Sequence, residues 1–399
     1  MNAAAAHDVV IAGGGMAGAS LAVGLARAGF DVGVIEAVAR DADHQPSYDD
    51  RTLVVNLASL NILQNLGILD DELSRCPIRR IEVTRAGGFG QVRLNARDHD
   101  LDHFGAVIVA RELGNRLLGC LEQTNGITQY CPERLETFRV SGDRVRIRLA
   151  SGTTISARLL VGADGTGSAI RQAAGIASTL HDYRQTAMIF NVTARPPSSD
   201  VAHERFTPVG PLAFLPQPAG RYGVVWIDAS SQIEQAMKMD DGALLEALLD
   251  RAGSAFSEFS EPGTRARYPL RLLRTRVPIG ERTVVVGNAA TTVHPVSAQG
   301  FNLGLRDVAT LIDVLETAHD PGAPAWMARY AQRRRSDHAE TVRYTDTLAR
   351  TFTNPSPLFR LGAGIGLAAH SFLPGLRRQL VTSAMGFREP VSRLAREVR

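Results

Sequence analysis

The 399-residue sequence predicts an α/β protein with a Rossmann-like nucleotide-binding domain, a second, mainly β domain and a C-terminal helical segment. Three observations carry this prediction. The β-branched run at 9–12 leads through three glycines into a stretch that favours helix, as at the start of a βαβ unit. Short alternating segments occur at about 80–149, and a region with proline-rich corners at about 183–269 is typical of a mainly β domain. After Gly304 the composition favours helix.

The composition excludes several classes of protein. Lys+Arg total 44 and Asp+Glu 41, and the net charge of +3 is too small for a protein whose main partner is a nucleic acid. The three cysteines lack C-x-x-C spacing, which argues against a disulfide framework or a four-cysteine zinc site and favours a reducing cytoplasm. The apolar N-terminal stretch has six glycines between residues 13 and 29 and no preceding basic residue, so we expect neither a targeting segment nor a membrane span.

The first glycine turn has the spacing of a dinucleotide-binding motif. Gly13-x-Gly15-x-x-Gly18 lies between a predicted strand and a predicted helix, where glycines permit a tight turn, close approach of a pyrophosphate and close packing of the helix on the strand. Glu36 ends the next predicted strand, eighteen residues after Gly18, and its carboxylate can accept hydrogen bonds from ribose hydroxyls. The motif by itself does not distinguish NAD from FAD.

Two further buried strands end in glycine-containing turns, and these turns carry a family resemblance. The runs at 159–171 (LLVGADGTGSAIR) and 284–307 (VVVGNAATTVHPVSAQGFNLGLRD) resemble the group-A FAD-dependent aromatic monooxygenases, which have the p-hydroxybenzoate hydroxylase-like fold. The resemblance implies one FAD site and no second nucleotide domain. It implies that Asp164 and Gly165, supported by Arg171, hold the dinucleotide, and that Gly287 and residue 288 approach the pyrophosphate and ribityl chain.

Position 288 indicates a branch of this family. Asn288 stands where most members have aspartate, and with the run at 299–307 and the stretch AHERFTPVGPLAFLP at 202–216 it resembles the UbiH-type hydroxylases of ubiquinone biosynthesis. The resemblance implies hydroxylation of a decarboxylated polyprenyl methoxyphenol with O2 and NAD(P)H, through a flavin C4a-hydroperoxide that the cofactor forms. Asparagine can still hydrogen-bond a ribityl hydroxyl, although it lacks the charge of aspartate.

The resemblance also implies residues beside the flavin ring. Pro295 would present a rigid apolar wall to the oxygen-reacting face, with a mere turn as the alternative. His294 is a candidate proton donor or a histidine simply hydrogen-bonded in place. Arg51 and Arg111 match arginines near the cofactor, or are solvated. The candidate catalytic residues are therefore Pro295, His294 and Arg51, and the candidate cofactor-binding residues are Gly13, Gly15, Gly18, Glu36, Arg51, Arg111, Asp164, Gly165, Gly287, Asn288, Gln299, Gly300 and Asn302.

The predicted domains interleave along the chain. The FAD-binding domain comprises residues 1–79, 106–182 and 273–320. The substrate domain comprises strands in 80–105 and the β-rich region 183–272. Residues 321–399 form the helical region.

Other motifs have weaker interpretations. His99-x-x-x-His103 has the residue types of a metal site but lies in polar loop sequence, so we predict a solvated connection and no metal. The apolar stretch at 362–369 is too short to span a bilayer and could lie on a membrane or a partner protein, or pack as a helix. We therefore expect a cytoplasmic protein, or one attached peripherally to the inner membrane.

Two alternative functions remain open from the sequence. The same fold could hydroxylate a soluble aromatic compound or epoxidise an alkene. Alternatively, the chain could be a scaffold of a biosynthetic complex that keeps the fold and has lost the flavin.

Overall fold

The computed structural model describes residues 5–39, 49–87, 91–353, 381–382, 384–387 and 389–396. The strands are β1 (Ala6–Ala12), β2 (Val32–Ile35), β3 (Thr52–Asn56), β4 (Cys76–Pro77), β5 (Arg80–Arg85), β6 (Val92–Asn95), β7 (Gly105–Val109), β8 (Ile127–Tyr130), β9 (Leu135–Ser141), β10 (Arg144–Leu149), β11 (Thr154–Gly162), β12 (Ser178–Arg195), β13 (Val201–Phe206), β14 (Pro211–Pro216), β15 (Arg221–Ala229), β16 (Glu258–Ser260), β17 (Ala266–Thr275), β18 (Ile279–Gly280), β19 (Thr283–Val285) and β20 (Thr291–Thr292). The helices are α1 (Met16–Arg27), α2 (Leu57–Asn65), α3 (Ala110–Gln123), α4 (Ala169–Ala173), α5 (Ser230–Ala236), α6 (Asp241–Ala252), α7 (Gln299–Leu315) and α8 (Pro324–Thr353).

The first sheet has a parallel core in the order β19-β11-β1-β2-β8, with β18 antiparallel to β19, and with β10 and β9 adding antiparallel strands beside β11. Its central strands are almost wholly apolar because both faces are covered. Helices α1, α2, α3 and α7 pack on one face in a single apolar core, and the β9–β10 hairpin packs on the other. This arrangement brings the carboxyl ends of β1, β11 and β19 to one edge of the sheet.

The second sheet has the order β20-β17-β12-β15-β14-β13-β5-β6, with β16 paired to one end of β12. Alternate residues give it two different faces. The outer face, which includes Met188, Phe190 and Val192, packs against α5 and α6. The inner face packs against the small sheet that contains β3, so close that a Cβ on Gly223 would lie 2.3 Å from the Thr52 hydroxyl at the start of β3.

A small sheet, β3-β7-β4, joins the two larger ones, and α8 packs along α7. The predicted α/β class, with its mainly β second region and C-terminal helix, is confirmed. Among the described residues, none of the helices is long and apolar enough to cross a membrane. The apolar stretch at 362–369 lies outside the described residues.

Candidate active site

The first glycine turn is built so that only glycine fits at two of its positions. Gly13 has φ of 106°, in the region that side chains rarely adopt, and its amide donates to the carbonyl of Ile35. A Cβ on Gly18 would lie 1.9 Å from the Gly13 carbonyl oxygen. Helix α1 begins after Gly15, and no described side chain caps its first amides. These amides and the helix dipole suit an anionic diphosphate.

The second turn lies directly against the first. A Cβ on Gly13 would be 2.5 Å from the carbonyl oxygen of Ala163, whose own amide donates to Ala12. The next residue, Asp164, accepts a hydrogen bond from the Ile170 amide through Oδ2 at 3.2 Å. Its Oδ1 is buried and has no hydrogen-bond partner in the described part of the chain. An unpartnered carboxylate oxygen at this position is available to a ligand.

The third turn closes on both of the others. Gly287 has φ of 59°, and a Cβ there would lie 3.3 Å from Cβ of Ala17 in α1. Buried Arg171, which follows the second turn, donates from Nη1 to the carbonyl of Ala289 at 2.9 Å and from Nη2 to Thr166 at 2.9 Å. The three turns predicted from the sequence therefore meet around one cleft.

Side chains of α7 and α8 hold the third turn in place. Asp307 is fully buried, and its Oδ2 accepts from the Gly287 amide at 3.0 Å. Its Oδ1 accepts from Arg334 Nε at 2.7 Å and lies 2.6 Å from His338 Nε2. Burial by itself would raise the pKa of Asp307, but His338 and Arg334 hold that pKa below its ordinary value. Asp337 bridges Arg334 to Arg306 in the same buried network.

Glu36 stands at the far end of the first turn. Its Oε2 accepts from the Gly14 amide at 2.7 Å and its Oε1 from the Val38 amide at 2.8 Å. A carboxylate has about four acceptor sites, so Glu36 can hold this turn and still accept from a ribose hydroxyl. A small cavity beside it is lined by Gly14, Val34, Glu36, Leu118, Leu121, Gln129 and Cys131.

The residues around the start of α7 divide into two groups. Asn302 donates to Val54 and Ala298 and accepts from the Asn56 amide, so its side chain holds the protein together and has no free group for a cofactor. Gln299 donates to the Ser297 carbonyl, whereas its Oε1 is buried without a described partner. The side chain of Asn288 is exposed, and Gly165 and Gly300 are half-buried, so all three positions are accessible from solvent.

His294 is buried and neutral. Its Nδ1 accepts from the Val296 amide at 3.2 Å, which places the proton on Nε2, 3.3 Å from Oε1 of Gln185. Burial lowers the pKa of His294 to about 4. The geometry therefore supports the simpler of the two sequence interpretations, a histidine held in place, over a proton donor. Pro295 follows it, half-buried, and its carbonyl accepts from Ala298.

Arg51 directly precedes β3 and lies beside Tyr268 of the second sheet. Its Nε is 3.1 Å from Oδ1 of Asp49, and its guanidinium lies 5.4 Å from the centre of the Tyr268 ring. The Tyr268 hydroxyl hydrogen-bonds Asp49, and burial with this contact raises the pKa of Tyr268 to about 12. Arg111 instead forms an exposed pair with Asp50 at 3.0 Å, within the first turn of α3.

Sequence reasoning missed the network behind the third turn. Arg334, Asp337, His338 and Thr341 recur at helical i, i+3, i+4 and i+7 spacing on one face of α8, a polar stripe that could have indicated a buried network. The predicted loop at 99–103 is a 3-10 turn at Ala96–His99 and the residues that follow it. No group of three metal-ligating side chains occurs within the described ranges.

The site fits FAD on observations of the structure itself. The glycine turns lie so close together that a Cβ on Gly13 or Gly18 would collide with backbone atoms, and a helix N-terminus faces the first turn. Buried side-chain oxygens of Asp164 and Gln299 have no hydrogen-bond partner among the described residues. When bound, FAD supplies the redox chemistry and the activation of O2. The residues that would hold it are the three turns together with Glu36 and Gln299.

Comparisons with known proteins agree with this geometry. The chain matches the family model described as FAD binding domain over residues 6–345. It is 34% identical over 384 residues to ubiquinone hydroxylase UbiL of Rhodospirillum rubrum, covering 95% of this chain and 89% of that protein. It is also 34% identical over 389 residues to 3-demethoxyubiquinol 3-hydroxylase of Escherichia coli, covering 95% of this chain and 98% of that protein.

The fold has solved counterparts. The crystal structure of p-nitrophenol 4-monooxygenase PnpA from Pseudomonas putida superposes with a TM-score of 0.77 at 17% identity, covering 97% of this chain and all of that one. The predictions of FAD as cofactor and of an FAD-dependent hydroxylase are confirmed. The chain belongs to the family that shares this FAD binding domain, and it is a group-A FAD-dependent monooxygenase related to the ubiquinone hydroxylases.

Proposed function

We propose that the protein hydroxylates the ring of a polyprenyl methoxyphenol in ubiquinone biosynthesis, with NAD(P)H as reductant and O2 as oxygen source. The observation that carries the proposal is the inner face of the second sheet. Ile189, Val225, Ala213 and Val83 lie in one row that crosses five strands, with Glu204 of β13 between the last two, and all four apolar residues are half-buried. An open apolar surface opposite the flavin cleft suits an aromatic ring with a hydrocarbon tail.

The chain's residues bind and orient in this proposal. The three glycine turns would hold the dinucleotide, and Pro295 and Val296 would form a wall between the cofactor and the apolar row. Excluding water from this space protects a reactive oxygen donor from side reactions. Arg51, stacked on Tyr268 of the second sheet, would bind the reductant where it reaches the flavin.

The names of the relatives support a ring carried on a long tail. The Escherichia coli relative is named for a demethoxyubiquinol, a quinol, whereas position 288 favours a methoxyphenol. A polyprenyl tail partitions into hydrocarbon at about 0.8 kcal/mol per buried CH₂, so we propose that the protein works at the cytoplasmic surface of the inner membrane.

The test uses the FAD-loaded protein with ¹⁸O2, NADH or NADPH, and three short-tailed or tailless substrates assayed separately: a prenyl methoxyphenol, a prenyl demethoxyquinol and simple phenol. We expect one ¹⁸O atom in the methoxyphenol product, detected by mass spectrometry. Labelling of simple phenol alone would favour the soluble-aromatic alternative. A colourless protein that takes up no FAD would favour the scaffold alternative.

A further inference from the structure

Glu204 is a carboxyl group on the apolar inner face of the second sheet. It lies on β13, and alternation along the strand fixes its direction. His203 contacts the rings of Tyr222 and Phe256 on the outer face. Ala202 and Phe206, two residues to either side of Glu204, pack in clusters on the inner face. Glu204 therefore faces the flavin domain.

The register of the sheet places Glu204 within the half-buried apolar row. It pairs with Val83 of β5 on one side and with Ala213 of β14 on the other. The row continues through Val225 to Ile189, and Glu204 is its one ionisable member. Glu204 is itself only partly buried, so it is accessible to a molecule lying on this surface.

The loop beside the predicted flavin ring packs against the strand that carries Glu204. Phe206, two residues from Glu204 on the same face, contacts Val296 of this loop, and the backbone amide of Ser297 lowers the pKa of Glu204. Ser297 and Ala298 both have positive φ, 63° and 48°, a strained conformation for residues other than glycine. Glu204 therefore lies where the apolar row of the second sheet meets the loop at 294–298.

The surroundings of Glu204 give its carboxyl group a higher pKa than an ordinary glutamate has. Burial raises the pKa of Glu204 to about 7, and the Ser297 amide opposes this only in part. The side chains around Glu204 are apolar. Its strand neighbours are Val83 and Ala213, and Leu348 of α8 packs against Phe206. The flanking ionisable groups are Arg85 along β5 and His294 at the start of the loop, and neither contributes to the pKa of Glu204. Arg205 lies on the outer face, against Gly253.

We propose that Glu204 is the catalytic base that deprotonates the phenolic hydroxyl of the substrate; the proposal rests on the proposed function. The O–H bond of the phenol breaks, its proton moves to a carboxylate oxygen of Glu204, and the electron pair remains on the phenolic oxygen. A ring carbon of the phenolate then forms a C–O bond to the electrophilic oxygen that the monooxygenase activity supplies, the O–O bond of that oxygen donor breaks, and its electron pair stays on the oxygen atom that ends as water. Glu204 returns its proton to the phenolic oxygen when the hydroxylated carbon loses its hydrogen to water as a proton.

A carboxylate with a raised pKa is well matched to removing the proton of a phenol. General bases contribute on the order of 10²–10⁴-fold in rate and work best with a pKa near the working pH. An ordinary glutamate, with a pKa of about 4.3, is a poor match for a phenol of pKa about 10. The apolar row raises the pKa of Glu204 toward that of the phenol, which makes Glu204 a better proton acceptor, and Glu204 is still ionised above neutral pH.

The experiment compares wild type with Glu204→Gln, Glu204→Asp and Glu82→Gln, all loaded with FAD. Glu82 is one residue away in the register, on the outer face beside His203, and serves as the matched control. The first measurement is kcat/KM for the prenyl methoxyphenol from pH 5.5 to 9. The second is the ultraviolet difference spectrum of the bound phenol with oxidised enzyme, which reports phenolate without turnover.

The proposal predicts that wild-type kcat/KM rises to a plateau above about pH 7 and that bound phenolate appears over the same range. Glu204→Gln should lose both features and fall about 10²–10³-fold at pH 8. Glu204→Asp should recover part of the rate, and Glu82→Gln should match wild type. FAD affinity should stay within threefold of wild type in all variants.

Three outcomes would overturn the proposal. If Glu204→Gln hydroxylates the phenol with the wild-type pH profile and phenolate spectrum, Glu204 is not the base, although the proposed function stands. If both Glu204 variants lose FAD and Glu82→Gln does not, Glu204 is a support of the Ser297 loop. If wild type neither binds nor hydroxylates the prenyl phenol, the proposed function and the base fail together.

Discussion

Asp307 of α7 accepts a hydrogen bond from the backbone amide of Gly287 at 3.0 Å, so one buried carboxylate connects the third glycine turn to the α7–α8 pair. The opposite oxygen of the same carboxylate contacts Arg334 and His338 of α8. The conformation of a cofactor loop thus depends on side chains that have no part in the cofactor cleft. Helix α8 is therefore a support of the site as well as a C-terminal element.

Asp307→Asn should destabilise the protein by about 3–5 kcal/mol, because it leaves Arg334 buried with less negative charge and weakens the Gly287 contact. Urea unfolding at pH 7 measures this. The control is Asp71→Asn, an exposed partner of Arg75, which should cost at most about 1 kcal/mol. Since the pKa of Asp307 is lowered on folding, its stabilisation is present above the unfolded pKa and is lost as the pH falls through the folded value. Equal effects of the two variants would contradict the assignment.

Gly18→Ala should abolish FAD binding, because the added Cβ would lie 1.9 Å from the Gly13 carbonyl oxygen and the first turn would have to move. Equilibrium dialysis with FAD measures the loss. Gly119→Ala, in α3, is the matched control: a Cβ there meets none of the described atoms within 4 Å, and alanine favours helix by about 1 kcal/mol. The control should keep FAD and unfold at the same or a higher temperature. A Gly18→Ala protein that retains its yellow cofactor would refute this prediction.

Asn288→Asp should retain FAD and make the flavin harder to reduce, because the exposed side chain at the third turn would gain a negative charge near the cofactor. Dye-coupled redox titration should show a lower midpoint potential than in wild type. Asn288→Leu, similar in volume and without polar atoms, should weaken FAD binding at least tenfold. If the leucine variant binds FAD like wild type, the side chain at 288 has no role in cofactor binding.

His294→Gln should leave the pH dependence of the reaction between pH 5.5 and 9 unchanged, because His294 has a pKa of about 4 and stays neutral throughout. The sign for stability is the same as that for Asp307, because folding lowers the pKa of both groups. The folded pKa is lower than that of an unfolded histidine, about 6.5, so wild type loses stability as the pH falls from about 6.5 toward 4. Thermal unfolding at pH 5 and 8 should show a smaller difference in the variant. Loss of an ascending limb near neutral pH in His294→Gln would instead indicate a proton-transfer role.

Glu204→Gln should raise the thermal stability of the FAD-loaded protein at pH 8 and have little effect at pH 4. The folded pKa of about 7 lies above the unfolded value of about 4.3, so ionisation of Glu204 disfavours the folded state increasingly across that interval. Calorimetry at several pH values measures the difference between the two proteins. A constant difference across pH would mean that Glu204 does not ionise in this range.

The local sequence was enough to predict the elements that depend on neighbouring residues. The spacing of Gly13, Gly15 and Gly18 predicts a strand–turn–helix because it reflects φ angles and close approaches within a few residues. The buried runs before Gly162 and Gly287 predict parallel strands for the same reason. The range of α8 follows from composition to within a few residues, whereas α7 begins at Gln299, before the helix that the composition predicts after Gly304.

The side-chain contacts across the molecule depended on the tertiary structure. Asn302 matched a family motif, yet its amide is used by Val54, Ala298 and Asn56 because α7 packs against β3. Glu204 has no sequence motif of its own, and only the register of β13 with β5 and β14 places it on an apolar face. Periodicity gives the alternation of faces, and only the packing of one sheet on another decides which face meets the cofactor.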